Sequence, residues 1–211
     1  MQRNVALFFD ANLSPMSEER HGTRRSGGPR KAQEIFDATL DLLADKGYEG
    51  LTIEGVAQHS GVNKTTIYRW WPSKGALLGA ALIGARQLDL APPDTGSLQG
   101  DLEALLHTIA ALLTTPPASD IAVAVLGAAT HSTELAAHVK DFFADRIARE
   151  EPVFTRAVAR GELPADADPM LLVDLLAGAA WIRVVLRQLP LEKDFVSRTV
   201  HTVLAGARAA D

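Results

Sequence analysis

The sequence predicts an all-α protein in which a small amino-terminal domain with a helix-turn-helix precedes a larger helical domain. Three observations predict this fold class. Apolar residues recur at helical spacing along most of the 211 residues. Proline and glycine separate these amphipathic segments, and no segment alternates convincingly as a strand would. The length is sufficient for one large domain or two small ones with a proper hydrophobic core.

The first predicted helix runs from about Lys31 to Lys46, with Ala32, Phe36, Leu40 and Leu43 on one apolar stripe. Gly47 follows it, and glycine readily adopts the left-handed conformation that ends a helix. We therefore expect the helix to stop at this glycine.

The run from Leu51 to Trp71, LTIEGVAQHSGVNKTTIYRWW, indicates a helix, a tight turn and a second helix. Thr52 is placed to cap the first of these, Ser60-Gly61 supplies the turn, and Asn63 caps the second. The second helix exposes donors and an aromatic ring and keeps few apolar anchors, which is typical of a helix that reads DNA. Its polar residues are Lys64, Thr65, Thr66, Tyr68 and Arg69.

Pro72-Ser73 restarts the chain into a fourth helix that is apolar on nearly every side and suits a connection between two domains. A linker rich in proline and glycine follows from residue 91. Five more helices are predicted, near Leu98–Leu113, Ser119–Thr130, Ser132–Arg160, Pro169–Gln188 and Glu192–Ala207. Ser132 and Asp168 are expected to act as caps, and Pro152 should kink or split the long helix that contains it.

Composition limits the possible chemistry. There is no cysteine, so disulfides, thiolate metal sites and cysteine redox sensing are excluded. The motifs HExxH and GxSxG and a glycine-rich phosphate loop are absent. No stretch approaches the roughly 18 uncharged apolar residues of a membrane span. We expect a cytoplasmic protein that is not an enzyme, binds no cofactor or metal, and has no membrane partner.

Charge is distributed unevenly along the chain. The net charge is −5, but residues 1–80 hold ten Lys/Arg against nine Asp/Glu, whereas residues 81–211 hold eleven against seventeen. Residues 1–27 have the composition of a disordered basic leader, and a basic cluster lies at its carboxyl end. This cluster is either a solvated tail or an arm that contacts phosphate or the minor groove. Its members are Arg20, Arg24, Arg25, Arg30 and Lys31.

Residues from about 29 to 85 resemble the amino-terminal domain of TetR-family transcriptional regulators. The resemblance rests on KAQEIFDATLDLLADKGYEGLT, on GVNKTTIYRWWPSKGALL and on their spacing. Gly75 departs from the pattern, which usually has an acidic residue there. The resemblance implies a DNA-binding domain over 28–88 and an effector-binding and dimerisation domain over 97–210. It also implies a homodimeric repressor that a small molecule releases from a palindromic DNA operator.

The resemblance assigns phosphate contacts to Tyr68 and Lys74, whereas the residue types themselves suggest the other roles. Lys64 can reach a guanine edge or a phosphate, and Thr65 and Thr66 suit close contact with base edges. Thr52, with the amides of its helix, is placed for another phosphate. The predicted DNA-binding residues are Thr52, Asn63, Lys64, Thr65, Thr66, Tyr68, Arg69 and Lys74.

Three alternatives stay open at this point. The apolar stripes of the last two helices either pair with a second copy or pack within the monomer. The helix-turn-helix could be merely structural in an all-helical small-molecule-binding protein or enzyme. His131, Glu134 and His138 have the spacing of a metal site, but a capping and surface role explains them as well.

Overall fold

The structure, a computed structural model, describes residues 30–85 and 91–208, so the predicted leader over 1–27 lies outside the described residues. Within those ranges the chain forms nine α-helices and no strand, which confirms the predicted fold class. The helices are α1 (Ala32–Gly50), α2 (Ile53–Ser60), α3 (Lys64–Trp70), α4 (Lys74–Gly84), α5 (Leu98–Thr114), α6 (Ala118–Ala129), α7 (Thr133–Ala159), α8 (Pro169–Trp181) and α9 (Phe195–Arg208), and a π-helical turn (Ile182–Leu186) continues α8.

Side-chain caps fix most of the helix starts. In each, a side-chain oxygen accepts a hydrogen bond from a backbone N–H of the first turn, which would otherwise lack a partner. The four caps expected from the sequence are confirmed, and two more are present. The six cap residues are Thr52, Asn63, Ser73, Ser97, Ser132 and Asp168.

Two helices continue past a residue that was expected to end, kink or split them. Gly47 has the positive φ expected of a glycine that ends a helix, 64°, but its ψ of −179° is not left-handed helical, and helical geometry resumes after it so that α1 continues to Gly50. The predicted stop at Gly47 is therefore a kink. Pro152 lies inside α7 without splitting it, since the helix is continuous over 27 residues.

The first hydrophobic core joins the helix-turn-helix to part of the following domain. Its centre is formed by α1, α2, α3 and α4, with Leu43, Val56 and Leu77 fully or almost fully buried. Ile121 and Val125 of α6 and Leu135 of α7 complete it. Helix α4 packs on both α1 and α7, and thus connects the two parts as predicted. The division into domains at 28–88 and 97–210 stays a prediction, and the first core takes residues from both ranges.

The second core is built from α5, the carboxyl-terminal half of α7, α8 and α9. The apolar stripe of α9 lies mostly inside it, since Val196, Val200 and Leu204 are buried. Helix α8 contributes Leu172 and Leu176 to this core. The opposite side of α8 carries large apolar residues that remain exposed.

Pro169–Leu186 is long and apolar enough to cross a membrane by length and composition alone, with a mean hydropathy of 1.8. One such helix is weak evidence, since the core helix of a soluble protein passes the same test. The stretch also contains Asp174 and Arg183.

Candidate nucleic-acid interface

Helix α3 is anchored through a small apolar side. Ile67 has no exposed surface and packs into the first core, and Val62 is partly buried beside it. Trp71, which follows the helix, packs against the same core and meets Phe36 edge-on, with the two ring centroids 5.4 Å apart. Trp71 is thus partly buried and helps to anchor the helix on the core. These contacts leave the rest of α3 free to face outward.

The outward side of α3 is polar and cationic. Lys64, Thr65, Tyr68 and Arg69 are exposed, and we call these four residues the α3 polar face. Tyr68 leaves 44% of its surface to solvent, which is high for a tyrosine in a folded domain. Thr66 is half-buried at the edge of this face. The structure thus places four of the predicted contact residues together on one side of one helix.

Lys64 lies 3.8 Å from the carboxylate of Glu54 in the first turn of α2, and both side chains are more than half exposed. An exposed pair at this distance is strongly screened and contributes little to stability. The ammonium group of Lys64 can therefore leave Glu54 for a phosphate or a base edge at small cost.

Thr52 and Asn63 are exposed, but each also has a structural role. The Thr52 hydroxyl oxygen accepts a hydrogen bond from the Gly55 N–H at 3.1 Å, and Asn63 Oδ1 accepts one from the Thr65 N–H at 2.9 Å. The hydroxyl hydrogen of Thr52 and the amide N–H groups of Asn63 are still available as donors. Both residues thus hold a helix in place and present a donor at its amino-terminal end.

Lys74 lies at the start of α4, half-buried beside Tyr48 at the end of α1. Its ammonium nitrogen donates a hydrogen bond to the carbonyl oxygen of Tyr48 at 2.9 Å and lies 4.2 Å from the centre of the Tyr48 ring. A lysine has three N–H donors, so this bond orients the side chain without using it up. Sequence reasoning did not find Tyr48, because its contact with Lys74 spans 26 residues.

The Tyr48 phenol connects this corner to α7. Burial raises the pKa of the phenol above its usual value, and nearby Glu134 and Glu49 add to this effect, whereas a hydrogen bond with Ser132 opposes it. Ser132 caps α7, and Glu134 lies in its first turn. The position of Lys74, a predicted phosphate contact, is therefore set by residues of α1 and α7 as well as by α4 itself.

The spacing of His131, Glu134 and His138 does not produce a metal-binding arrangement in the part of the chain that the structure describes. Glu134 instead accepts a hydrogen bond from the Ser73 hydroxyl, and the ring of His138 packs over Gly79. Both side chains are thus engaged with α4.

A capped helix, a tight turn through Gly61 and a second helix with an exposed polar face together define a helix-turn-helix DNA-binding protein. Comparison with known proteins agrees for both parts of the chain. Residues 35–81 match the family of bacterial regulatory proteins of the tetR type, and residues 92–203 match the tetracyclin repressor-like C-terminal domain. The chain belongs to the TetR family of transcriptional regulators.

Individual relatives cover nearly the whole chain. An HTH-type transcriptional regulator of Mycobacterium tuberculosis strain H37Rv is 36% identical over 178 residues, which are 83% of this chain and 86% of the relative. The DNA-binding transcriptional repressor TetR of Mycobacteroides abscessus is 29% identical over 180 residues, 84% of this chain and 93% of its own length. The crystal structure of the TetR family transcription regulator SCO0332 superimposes with a TM-score of 0.70 at 37% identity, covering 82% of this chain and 96% of that one.

These relationships establish the protein as a DNA-binding transcriptional regulator and not an enzyme, as predicted. Regulators of this family bind DNA operators and small-molecule effectors, and they act as dimers. Which residues of this chain touch DNA stays a prediction.

Proposed function

We propose that the protein is a homodimeric, cytoplasmic repressor that binds a palindromic operator and leaves it when a small molecule binds the carboxyl-terminal domain. The observation that carries this proposal is the α3 polar face, in which four adjacent donors are exposed while the same helix is held by the fully buried Ile67. A helix anchored on one side and polar on the other can enter the major groove without disturbing the fold.

Each residue has a role that follows from its position. Thr65 and Thr66 are short, so they suit contact with base edges, and Lys64 reaches either a guanine or a phosphate. Tyr68, Lys74 and the amino-terminal end of α2 at Thr52 suit phosphates, which set affinity and register. Asn63 positions the start of α3 and has N–H groups to spare. The Arg69 guanidinium lies 6.0 Å from the centre of the Trp70 ring, and this contact holds it at the carboxyl end of the face.

The proposed dimer uses one side of α8 and its π-helical continuation. Leu171, Leu175, Ile182 and Leu186 expose 54%, 49%, 51% and 71% of their surfaces and follow one another at intervals of four, seven and four residues. This spacing places them along one stripe, which we call the α8 apolar face. Gly178, between them, has open space where a side chain would be, so another helix can approach closely there.

Covering such a face removes apolar surface from water, which stabilises the covered state by about 25 cal/mol per Å² buried. A second copy of the chain related by two-fold symmetry offers the same stripe in return. The resulting dimer carries two copies of the α3 polar face. Two such helices about 34–36 Å apart read both halves of a palindrome, which roughly doubles the number of base contacts.

The effector is proposed to bind the carboxyl-terminal domain and to favour a dimer with the wrong separation of recognition helices. A polar surface cleft of about 370 Å³ is lined by Ser97, Gln99, Gly100, Glu103 and Glu162.

The proposal is tested by selecting bound fragments from a random or genomic DNA library. The wild-type protein should enrich a palindrome, and the double variant Tyr68→Ala/Lys74→Ala should not. Lys140→Ala, which removes an exposed lysine of α7, is the matched control and should enrich the same palindrome. Thermal melting of each variant separates loss of binding from loss of fold. Enrichment that persists in the folded double variant would contradict the proposed interface.

A further inference from the structure

Helices α4 and α7 approach each other closely at two glycines of α4, where an added side chain would have to displace a side chain of α7. An ideal Cβ placed at Gly75 would lie 2.9 Å from the carboxylate carbon of Glu134, and one placed at Gly79 would lie 2.5 Å from Cγ of His138. Both pairs are one turn apart on their helices. The first two turns of α4 and α7 thus pack together through two glycines on α4 and two larger side chains on α7.

Glu134 also closes the amino-terminal end of α4. The Ser73 hydroxyl donates a hydrogen bond to the Glu134 carboxylate and accepts one from the Ala76 N–H at 2.9 Å. The first turn of α4 has no acidic residue of its own. A carboxylate is favourable at a helix amino terminus, where backbone N–H groups carry partial positive charge. Here that carboxylate comes from α7, 61 residues away in the chain.

The same corner contains a proposed phosphate contact. Lys74 follows Ser73 directly and is bonded to Tyr48, whose side chain is hydrogen-bonded with Ser132 at the cap of α7. A displacement of the first turn of α7 therefore acts on Ser73 through Glu134, and on Lys74 through Ser73 and Tyr48.

We propose that Glu134 is a positioning residue that ties the amino terminus of α4 to α7, so that the DNA-binding helices and the first turn of α7 shift together. This inference rests on the proposed function, because it describes how the carboxyl-terminal domain controls the proposed interface. Both side chains of the Ser73–Glu134 pair reach solvent, so charge attraction between them is weak, and the pair acts beside the close packing of His138 against Gly79.

Three variants separate this coupling role from simple capping. Glu134→Ala removes the connection and the carboxylate together. The double variant Glu134→Ala/Gly75→Glu restores a carboxylate to the first turn of α4, in space that Glu134 has vacated, but leaves Ser73 without its hydrogen bond to α7. Glu151→Ala removes an exposed glutamate elsewhere on α7 and is the matched control. If Glu134→Ala does not fold, Glu134→Gln keeps an acceptor for Ser73 without the charge.

The measurement is hydrogen exchange of each folded dimer with and without the operator fragment selected above. In the wild type and in Glu151→Ala, DNA should slow hydrogen exchange over residues 53–71 and also over 133–139. Over 133–139 the exchange rate should fall by at least about fivefold, which is the lower end of typical changes in affinity between coupled sites. In the double variant DNA should still bind and slow exchange over 53–71, while the effect over 133–139 falls below about twofold.

An undiminished response over 133–139 in the double variant would overturn the role of Glu134, and so would a wild-type protein that binds DNA without any response there. If the wild type binds no fragment, the proposed function fails separately. The positioning role is then decided on the free protein, where Glu134→Ala/Gly75→Glu, which keeps a carboxylate in the first turn of α4, should still speed exchange at Ala76–Leu78 and Glu151→Ala should not. Unchanged exchange at those amides would overturn it.

Discussion

Helices α3 and α8 are both anchored on one side and exposed on the other, yet their exposed sides have opposite chemistry. The α3 polar face consists of a lysine, a threonine, a tyrosine and an arginine, whereas the α8 apolar face consists of leucines and an isoleucine. Exposed hydrogen-bond donors are satisfied by water in the free protein and can bond to a DNA phosphate instead. Exposed leucines form no hydrogen bonds with water, so covering them with another apolar surface lowers the free energy. We therefore expect the α8 apolar face to be covered by a second copy of the chain before the α3 polar face meets DNA.

The largest effect is expected from placing a charge on the α8 apolar face. Leu175→Asp should prevent dimerisation, because the carboxylate would be buried without a partner in the paired state. With one recognition helix instead of two, operator affinity should fall by at least about a hundredfold, as expected when half of the base contacts are lost. Sedimentation and operator titration measure the two effects. If the Leu175→Asp variant remains dimeric, the dimer interface does not include this side of α8. Leu175→Met is the conservative control.

A smaller loss is expected from removing one phosphate contact beside the α3 polar face. Lys74→Ala should weaken binding to all DNA sequences by roughly tenfold and reduce the salt dependence of binding by about one phosphate contact. Titration against the operator and a scrambled duplex at several salt concentrations gives both quantities. A loss confined to the operator would instead make Lys74 a base-reading residue.

Changes within the α3 polar face should alter preference more than affinity. Thr65→Val keeps the shape of the side chain but removes its hydroxyl group. If Thr65 contacts a base, the ratio of the affinities for two operator variants should change by about tenfold, near the lower end of 1–3 kcal/mol per good contact. Competition between the two duplexes measures this ratio. Thr133→Val at the exposed start of α7 is the matched control. An unchanged ratio for Thr65→Val would remove Thr65 from sequence reading.

The smallest effect concerns the support of α3. Asn63→Ala removes the hydrogen bond to the Thr65 N–H and should lower the free energy of unfolding by about 1 kcal/mol. Asn63→Asp retains the acceptor and should lose less. Chemical denaturation of the three proteins provides the comparison, and equal stability of the alanine and aspartate variants would show that the cap contributes nothing measurable.

The sequence predicts the helix-turn-helix better than the α8 apolar face, for a physical reason. Thr52 and Asn63 are cap residues whose partners lie two or three residues away, so the local sequence contains the whole interaction. The stripes of α8 and α9 look alike in sequence, but Val200 packs into the second core whereas Leu175 is exposed. Only tertiary packing decides between them.

Long-range contacts limit prediction in the same way at the start of α4. The absence of an acid at Gly75 is visible in the sequence, but its replacement by Glu134 depends on a contact across 61 residues. Tyr48 lies next to a predicted turn and carries no signal of its contact with Lys74. Residue type alone identifies neither.

The glycines of α4 also bear on how this protein could be made more heat-resistant. Replacing helical glycine by alanine ordinarily gains close to 1 kcal/mol, because alanine is the better helix former. At Gly79 the added methyl group would meet the ring of His138 at 2.5 Å, so the gain would be lost in forcing α4 and α7 apart. Gly127 in α6 has no atom within 4 Å of the position that a methyl group would occupy. An engineer seeking a higher melting temperature should therefore substitute Gly127 and leave Gly79 as it is.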